Sequence, residues 1–369
     1  YTILQNAVGI FLLYLGWRLY AVVYCWLAGL SVASILGLMI VTKNLGVLGK
    51  PHELKPLFRF SFPLYAAGIL GYFVGWIDQL ILYSYTSALS GGAVEAQRVL
   101  GVYNVAIRAS TVPTLFSTAA LAALFPQLSE LYTLQGLNRL GDAFRASTRY
   151  LVFVGFPLII GLATLARPAI ILFAGWQYVE AAEPLMIICI AAMAGTLGIA
   201  VGPILLTLER TTVASVLSVV SVILSAVLSF FMLSYAGLGM IGTAWARAFV
   251  AVIGLAISLY VLKHFVPISF DKEALKKASA ASAIMVLAII ALDLMRIIAF
   301  HGSTDFLENF LVIRLHLLPV YVAVGGAAYG LALVMLRAIK LQDMELIEEY
   351  LPKKFQRVAT WLKRFAVAE

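Results

Sequence analysis

Apolar stretches of 17 to 27 residues follow one another along the chain, near 1–17, 19–42, 60–86, 100–125, 150–174, 185–208, 213–235, 239–262, 279–300 and 312–336. A bilayer core of roughly 30 Å is crossed by about 20 apolar residues of helix. A barrel would instead show alternating segments of about 10 residues. The pattern therefore predicts an all-α polytopic membrane protein with ten transmembrane helices, short loops and no inserted soluble domain.

Composition agrees. The chain is 63% hydrophobic and 12% charged, with a mean hydropathy of +0.99. An ordinary soluble domain is about a quarter charged, so a water-soluble fold of this chain would lack a polar surface.

Charge then orients the spans. With alternate loops assigned to two sides, one side collects 19 of the 26 basic residues. They include Lys43, Lys50, Lys55, Arg59, Arg139, Arg145, Arg149, Arg210 and Lys263, and a tail from Arg337 to Arg364. The positive-inside rule places residues 43–59, 126–149, 263–278 and the C-terminus in the cytoplasm. The net charge of +8 is read as this anchoring and as attraction to anionic lipid, not as a nucleic-acid footprint. In the tail Phe355, Val358, Leu362 and Phe365 recur at helical spacing among lysines and arginines, which predicts a basic amphipathic helix lying on the cytoplasmic leaflet.

The chain opens on Tyr1 inside an apolar run, with no signal-peptide pattern. The expectation is that an N-terminal part of a longer protein precedes it. Cys25 and Cys189 both fall inside spans and read as small apolar fillers, not as a disulfide or metal site.

Ionisable groups deep in a span are costly and mark function or a specific pair. Asp78 and Arg108 sit at similar distances from the external loop on two consecutive, antiparallel spans. They are expected to pair, either as a lock between helices or facing a cavity. Arg247 stands only about eight residues into its span. Its long stem is expected to reach the interface, and it is the third cavity candidate. Asp293 and Arg296 lie near an external span end and read as interfacial. Pro63, Pro113, Pro157, Pro203 and Pro319 fall in spans, and Gly68, Gly71 and Gly75 form a small-residue face leading to Asp78. Kinked, glycine-rich helices around buried charge suit a protein opening to alternate sides.

Enzyme chemistry finds no support. The longest external loop expected, 87–99, is short, and the sequence holds no phosphate loop, zinc spacing or nucleophile elbow. His52, His264, His301 and His316 are scattered. No cofactor or metal is expected.

From the third span onward the sequence resembles the Wzx-type polysaccharide flippases of the multidrug/oligosaccharidyl-lipid/polysaccharide exporter superfamily. The resemblance is carried by FSFPLYAAGILGYFVGWIDQLIL, by GVYNVAIRASTVPTLFSTAALAALFPQLSELY, by RYLVFVGFPLIIGL and ILFAGWQYVEAAEPLMIICIA, and by GLGMIGTAWARA. It implies a two-lobe, six-plus-six-helix fold like that of multidrug exporters, with two extra C-terminal helices. Residues 1–42 would be the last two helices of the first lobe, 43–59 a cytoplasmic inter-lobe linker, and 60–262 the second lobe. Residues 263–336 would add a cytoplasmic loop and two helices before the tail, 337–369.

The implied function is movement of a polyprenyl-(di)phosphate-linked oligosaccharide from the cytoplasmic to the outer leaflet of the cell membrane by alternating access. Asp78, Arg108 and Arg247 would line the cavity. The implied partners are that substrate, membrane lipid, a coupling sodium ion or proton and glycan assembly enzymes. The alternatives are a cation-coupled drug antiporter, a lipid-linked peptidoglycan-precursor flippase, or a membrane scaffold that transports nothing.

Overall fold

A computed structural model of the chain describes residues 2–45, 54–89, 92–299 and 317–338. Contacts divide the chain between Arg59 and Phe60. Before that division α1 (Thr2–Tyr14) and α2 (Arg18–Leu45) form a hairpin. It turns at Gly16, whose φ of 82° is a left-handed value that suits glycine. Two further glycines bring the helices close. A methyl group on Gly29 would stand 3.0 Å from Gln5 Cβ, and one on Gly9 3.2 Å from Cys25 Sγ.

After α3 (Leu54–Leu89), which crosses the division, the chain forms α4 (Ala93–Thr164), α5 (Ala166–Ala174), a 3₁₀ turn (Trp176–Ala181) and α6 (Ala182–Gly198). Then come α7 (Val201–Thr207), α8 (Thr211–Ser234), α9 (Gly239–Lys263), α10 (Lys272–Ala299) and α11 (Leu318–Met335). Among the described residues, eight segments are helical, long and apolar enough to cross a membrane. The expected first span is a helix of 13 residues, and the third lies within α3.

The segment 126–149 departs from expectation. Read from its charges as a loop, it is helical, and α4 runs for 72 residues. Its sequence is rich in Leu and Arg, which favour helix over turn. The axis nevertheless doubles back. A methyl on Gly155 would lie 3.4 Å from Ser117 Oγ, whereas a straight helix would hold those residues about 57 Å apart. The two arms, Ala93–Ala119 and Leu140–Thr164, therefore still behave as two spans.

Prolines account for two further breaks. Pro168 has no N–H for the Thr164 carbonyl, and the helix ends at Leu165, with φ −101° and ψ 26°, before α5 begins. Pro203 likewise cannot bond the Ile199 carbonyl, and the expected span 185–208 is split into α6 and α7. At Pro157 the helix continues. The Phe153 carbonyl that this proline leaves unbonded accepts the Tyr329 hydroxyl of α11 at 2.7 Å, as a neighbouring helix can do in a membrane.

α6 is central, packed on α4 on one side and α9 on the other. Tyr103, Ile159, Ile170, Leu185 and Leu233 form the main buried cluster around it. α8 shows how a helix at the surface of the bundle divides its faces. Ile223, Val227 and Phe230 are exposed, while Ser225 and Ser229 are buried. Lipid tails are as apolar as these side chains, so close packing holds such helices together, not hydrophobic expulsion. α10 and α11 pack together and against α4. Asp293, expected at the interface, is buried and accepts the Tyr321 hydroxyl of α11 at 2.8 Å. The amphipathic tail beyond residue 338, residues 46–53 of the 43–59 linker with His52 among them, the Arg296 side chain, and residues His301 and His316 lie outside the description.

Candidate functional site

The three charged candidates do not assemble as the sequence suggested. Asp78 is 1% exposed and is paired with Arg247, not Arg108. Arg247 Nε donates to Asp78 Oδ2 at 2.8 Å, and Arg247 Nη2 donates to Oδ1 at 3.3 Å and to the Gly75 carbonyl at 3.0 Å. The Tyr103 hydroxyl donates to Oδ2 at 2.9 Å, and the Gln79 backbone N–H to Oδ1 at 2.9 Å. Two carboxylate oxygens accept about four hydrogen bonds between them. Asp78 is therefore saturated.

The correction for Arg108 is angular. Equal depth on adjacent helices is necessary for pairing, but the side chains must also face each other. Tyr103 is the α4 residue that reaches Asp78, and Arg108, five residues on, lies about 140° further round the helix. Arg108 is exposed. The expectation that Arg247 reaches the interface also falls, because Asp78 holds its guanidinium inside the protein. Depth alone would have admitted Arg247, since it too lies about eight residues from an end of its helix, the N-terminal one.

Arg247 lies between Asp78 and a cavity of about 390 Å³ walled by α3, the first arm of α4, α6, α8 and α9. Gly75 lines it, and neither Gly68, Gly71 nor Gly75 has an atom within 4 Å of where a methyl would sit. The glycine face leading to Asp78 thus borders open space. The polar part of the lining is Arg247 with Ser110, Thr111, Thr114, Ser221 and Ser225. Those serines and threonines carry no charge and gave no signal in a search for ionisable groups. Neither Asp78 nor Arg108 lines this cavity. Among the described residues no cluster of His, Cys, Asp or Glu is arranged to hold a metal.

Eight membrane-length apolar helices among the described residues, with a charged pair inside their bundle, define the class: a polytopic membrane protein. Sequence and fold comparisons specify it further. A family model described as "Polysaccharide biosynthesis protein" matches residues 1–183. The chain is 24% identical over 267 residues to the probable low-salt glycan biosynthesis flippase Agl15 of Haloferax volcanii, covering 72% of this chain and 54% of that protein. It thus spans about half the length of the curated relative it matches.

Among solved structures, the lipid II flippase MurJ in an inward closed conformation superposes with a TM-score of 0.63 at 16% identity, over 90% of this chain and 65% of that one. An outward-facing multidrug-resistance transporter of the multidrug/oligosaccharidyl-lipid/polysaccharide superfamily gives 0.45 at 17% identity, over 85% and 71%. The expected resemblance to polysaccharide flippases agrees with the family model and with the glycan-flippase relative, and the fold is like that of MurJ.

Proposed function

We propose that this chain is part of a flippase that carries a polyprenyl-(di)phosphate-linked oligosaccharide from the cytoplasmic to the outer leaflet of the cell membrane, for surface glycan synthesis. Residues 60–262 act as one six-helix lobe rocking against another, 1–42 belong to the other lobe, and α10 and α11 are additions to the core. The C-terminus is cytoplasmic. The division of contacts at residue 59 and the match to a glycan flippase support this reading.

The observation that carries it is the guanidinium of Arg247, fixed deep in a bundle and open to a cavity. A polar headgroup does not cross hydrocarbon unaided, and a guanidinium held inside the lobe offers it hydrogen-bond donors without the cost of an unpaired buried charge. Arg108, exposed within its span, supplies a second cation, which the phosphates of the carrier would meet. Catalysis plays no part; the protein moves its substrate unchanged.

The saturation of Asp78 bears on the cation-coupled drug antiporter. With four donors already on its oxygens, that carboxylate has no place for a sodium ion while Arg247 is docked. Coupling to sodium or a proton, and handover from glycan assembly enzymes, would use groups elsewhere.

The test is complementation of glycan export by the full-length gene carrying Arg247→Ala or Arg108→Ala, with membrane-inserted protein quantified. Both variants are expected to lose export. Full export from both would remove the arginines from the mechanism and overturn the reading. Orientation is checked with an impermeant thiol reagent on intact cells. A cysteine replacing Val94, at the start of α4 and 80% exposed, should be modified, and one replacing the exposed Asp142 should not. The reverse pattern would invert the direction of transport.

A further inference from the structure

The walls of the Arg247 cavity hold a particular balance of donors and acceptors. Ser110, Thr111, Thr114 and Ser221 each donate their hydroxyl proton to a carbonyl of their own helix, at 2.7, 2.7, 2.7 and 2.9 Å. A hydroxyl so engaged keeps its lone pairs, so these four offer acceptors to whatever occupies the cavity. Donors come from two other groups. Arg247 uses Nε and Nη2 on Asp78 and Gly75, and its Nη1 has no partner among the described residues. Ser225, on α8, is 4% exposed and lines the cavity, and among the described residues its hydroxyl makes no hydrogen bond.

A buried hydroxyl without a partner is uncommon. Ser229 Oγ on the same helix and Ser282 Oγ on α10 also lack partners among the described residues, but both are fully buried; Ser225 differs in opening on the cavity. Ser225 is also part of a series, Ser215, Ser218, Ser221, Ser225 and Ser229, spaced by three and four residues along one face of α8. The series alone says only that the face is small and polar. The unpartnered hydroxyl, opening on a cavity, points to a ligand.

The chemistry of that ligand follows from charge and size. Arg247 is neutralised by Asp78, so the site holds no net charge to favour an anion, and the guanidinium edge repels a cation. Four acceptors and two donors, set among the apolar side chains and glycine of the remaining walls, match a group that both donates and accepts at several adjacent positions and presents C–H faces between them. We infer that this cavity is a binding site for a single uncharged sugar ring, with Ser225 and Arg247 Nη1 donating to ring or hydroxyl oxygens and the four engaged hydroxyls accepting from ring hydroxyls. A volume of about 390 Å³ lies at the lower end of small-ligand sites, which suits one ring and not a chain of them. The inference rests on the glycan-flippase reading and adds the subsite inside this lobe that recognises the sugar.

The experiment uses the full-length protein in lipid nanodiscs and saturation-transfer NMR against methyl α-glucoside, methyl α-galactoside, methyl α-mannoside and N-acetylglucosamine, with inorganic phosphate as competitor. At least one sugar is expected to bind saturably. Ser225→Ala should weaken it about five-fold, the change expected of one lost hydrogen bond. Ser225→Leu, which fills the cavity, should abolish binding, and Ser84→Ala, an exposed serine of α3, should leave it unchanged. Phosphate should not displace the sugar.

Binding by none of the panel, equal binding to Ser225→Leu, or displacement by phosphate would each overturn the inference. Export assays on the same variants separate the two claims. Export without sugar binding removes this subsite and leaves the flippase reading standing. Sugar binding by a full-length protein that supports no export keeps the subsite and removes the flippase reading.

Discussion

Two spaces in the same helical bundle, one on either side of the folded-back α4, treat their polar groups in opposite ways. The Arg247 cavity, about 390 Å³, is walled by five helices and turns a guanidinium edge and hydroxyl oxygens inward. The second space, a groove of about 610 Å³ between α4, α5, α10 and α11, is lined by groups such as Phe116, Pro157, Leu158, Met285, Ile289 and Val322. Its tyrosines turn their hydroxyls away, Tyr321 to Asp293 at 2.8 Å and Tyr329 to the Phe153 carbonyl at 2.7 Å. Each space contains a tyrosine–carboxylate contact nearby, Tyr103–Asp78 for the first and Tyr321–Asp293 for the second. A buried carboxylate alone therefore does not make a polar site. The difference lies in the walls: a guanidinium edge and hydroxyls line the first space, and side chains such as Phe116, Leu158 and Met285 the second.

The largest expected effect comes from breaking that pair. Arg247→Ala leaves the Asp78 carboxylate buried without its cation, and removing one member of a buried pair costs about 3–5 kcal/mol. The variant should lose export and also melt earlier in a thermal unfolding assay. Asp78→Leu combined with Arg247→Leu separates the two losses. Replacing a buried pair with apolar groups is often neutral, so the double variant should regain most of the lost stability and still export nothing. Recovery of export would reduce the pair to a lock between α3 and α9.

Much of this was legible in the sequence, and the part that was not has physical causes. Span positions came through because a run of apolar residues at bilayer length has few other solutions. Asp78 and Arg247 were found as costly charges in spans. Their pairing was missed because sequence gives depth directly but gives facing only through a neighbour, and the neighbour that fixes the facing is Tyr103, an uncharged residue on α4. The helical 126–149 segment was missed because its charges resemble a loop, although its residue types favour helix. Ser225 was invisible because a serine in a membrane helix ordinarily bonds its own backbone, and only the structure shows which unbonded hydroxyl opens on a cavity.

A middle-sized effect tests the seam where the two arms of α4 meet α6. A methyl on Gly155 would lie 2.9 Å from Thr196 Cγ2, and a β-branched neighbour has little freedom to rotate away. Gly155→Ala should therefore destabilise the lobe by about 1–3 kcal/mol, as overpacking does. Gly75→Ala, on the cavity wall with nothing within 4 Å, should leave the melting temperature nearly unchanged. Equal effects at both glycines would mean that the cavity beside Gly75 closes in the membrane.

The smallest expected effect lies on the apolar side. Tyr329→Phe removes the hydroxyl that satisfies the Phe153 carbonyl at the Pro157 site. No N–H of the same helix takes its place, because residue 157 is a proline. An unmet carbonyl costs about 1–3 kcal/mol when fully dry, but this one borders an open groove whose walls include Phe153 and Tyr329. The loss should fall near the lower end, about 1 kcal/mol, read as a small drop in melting temperature with export retained. The same substitution at Tyr103 offers the contrast. Tyr103→Phe takes one of four donors from Asp78 and so loosens the carboxylate that holds Arg247 in place, and export should fall. If Tyr329→Phe lowers export as far as Tyr103→Phe does, the groove is no passive hydrocarbon surface, and the Tyr329 contact on α4 is part of the movement that carries substrate across.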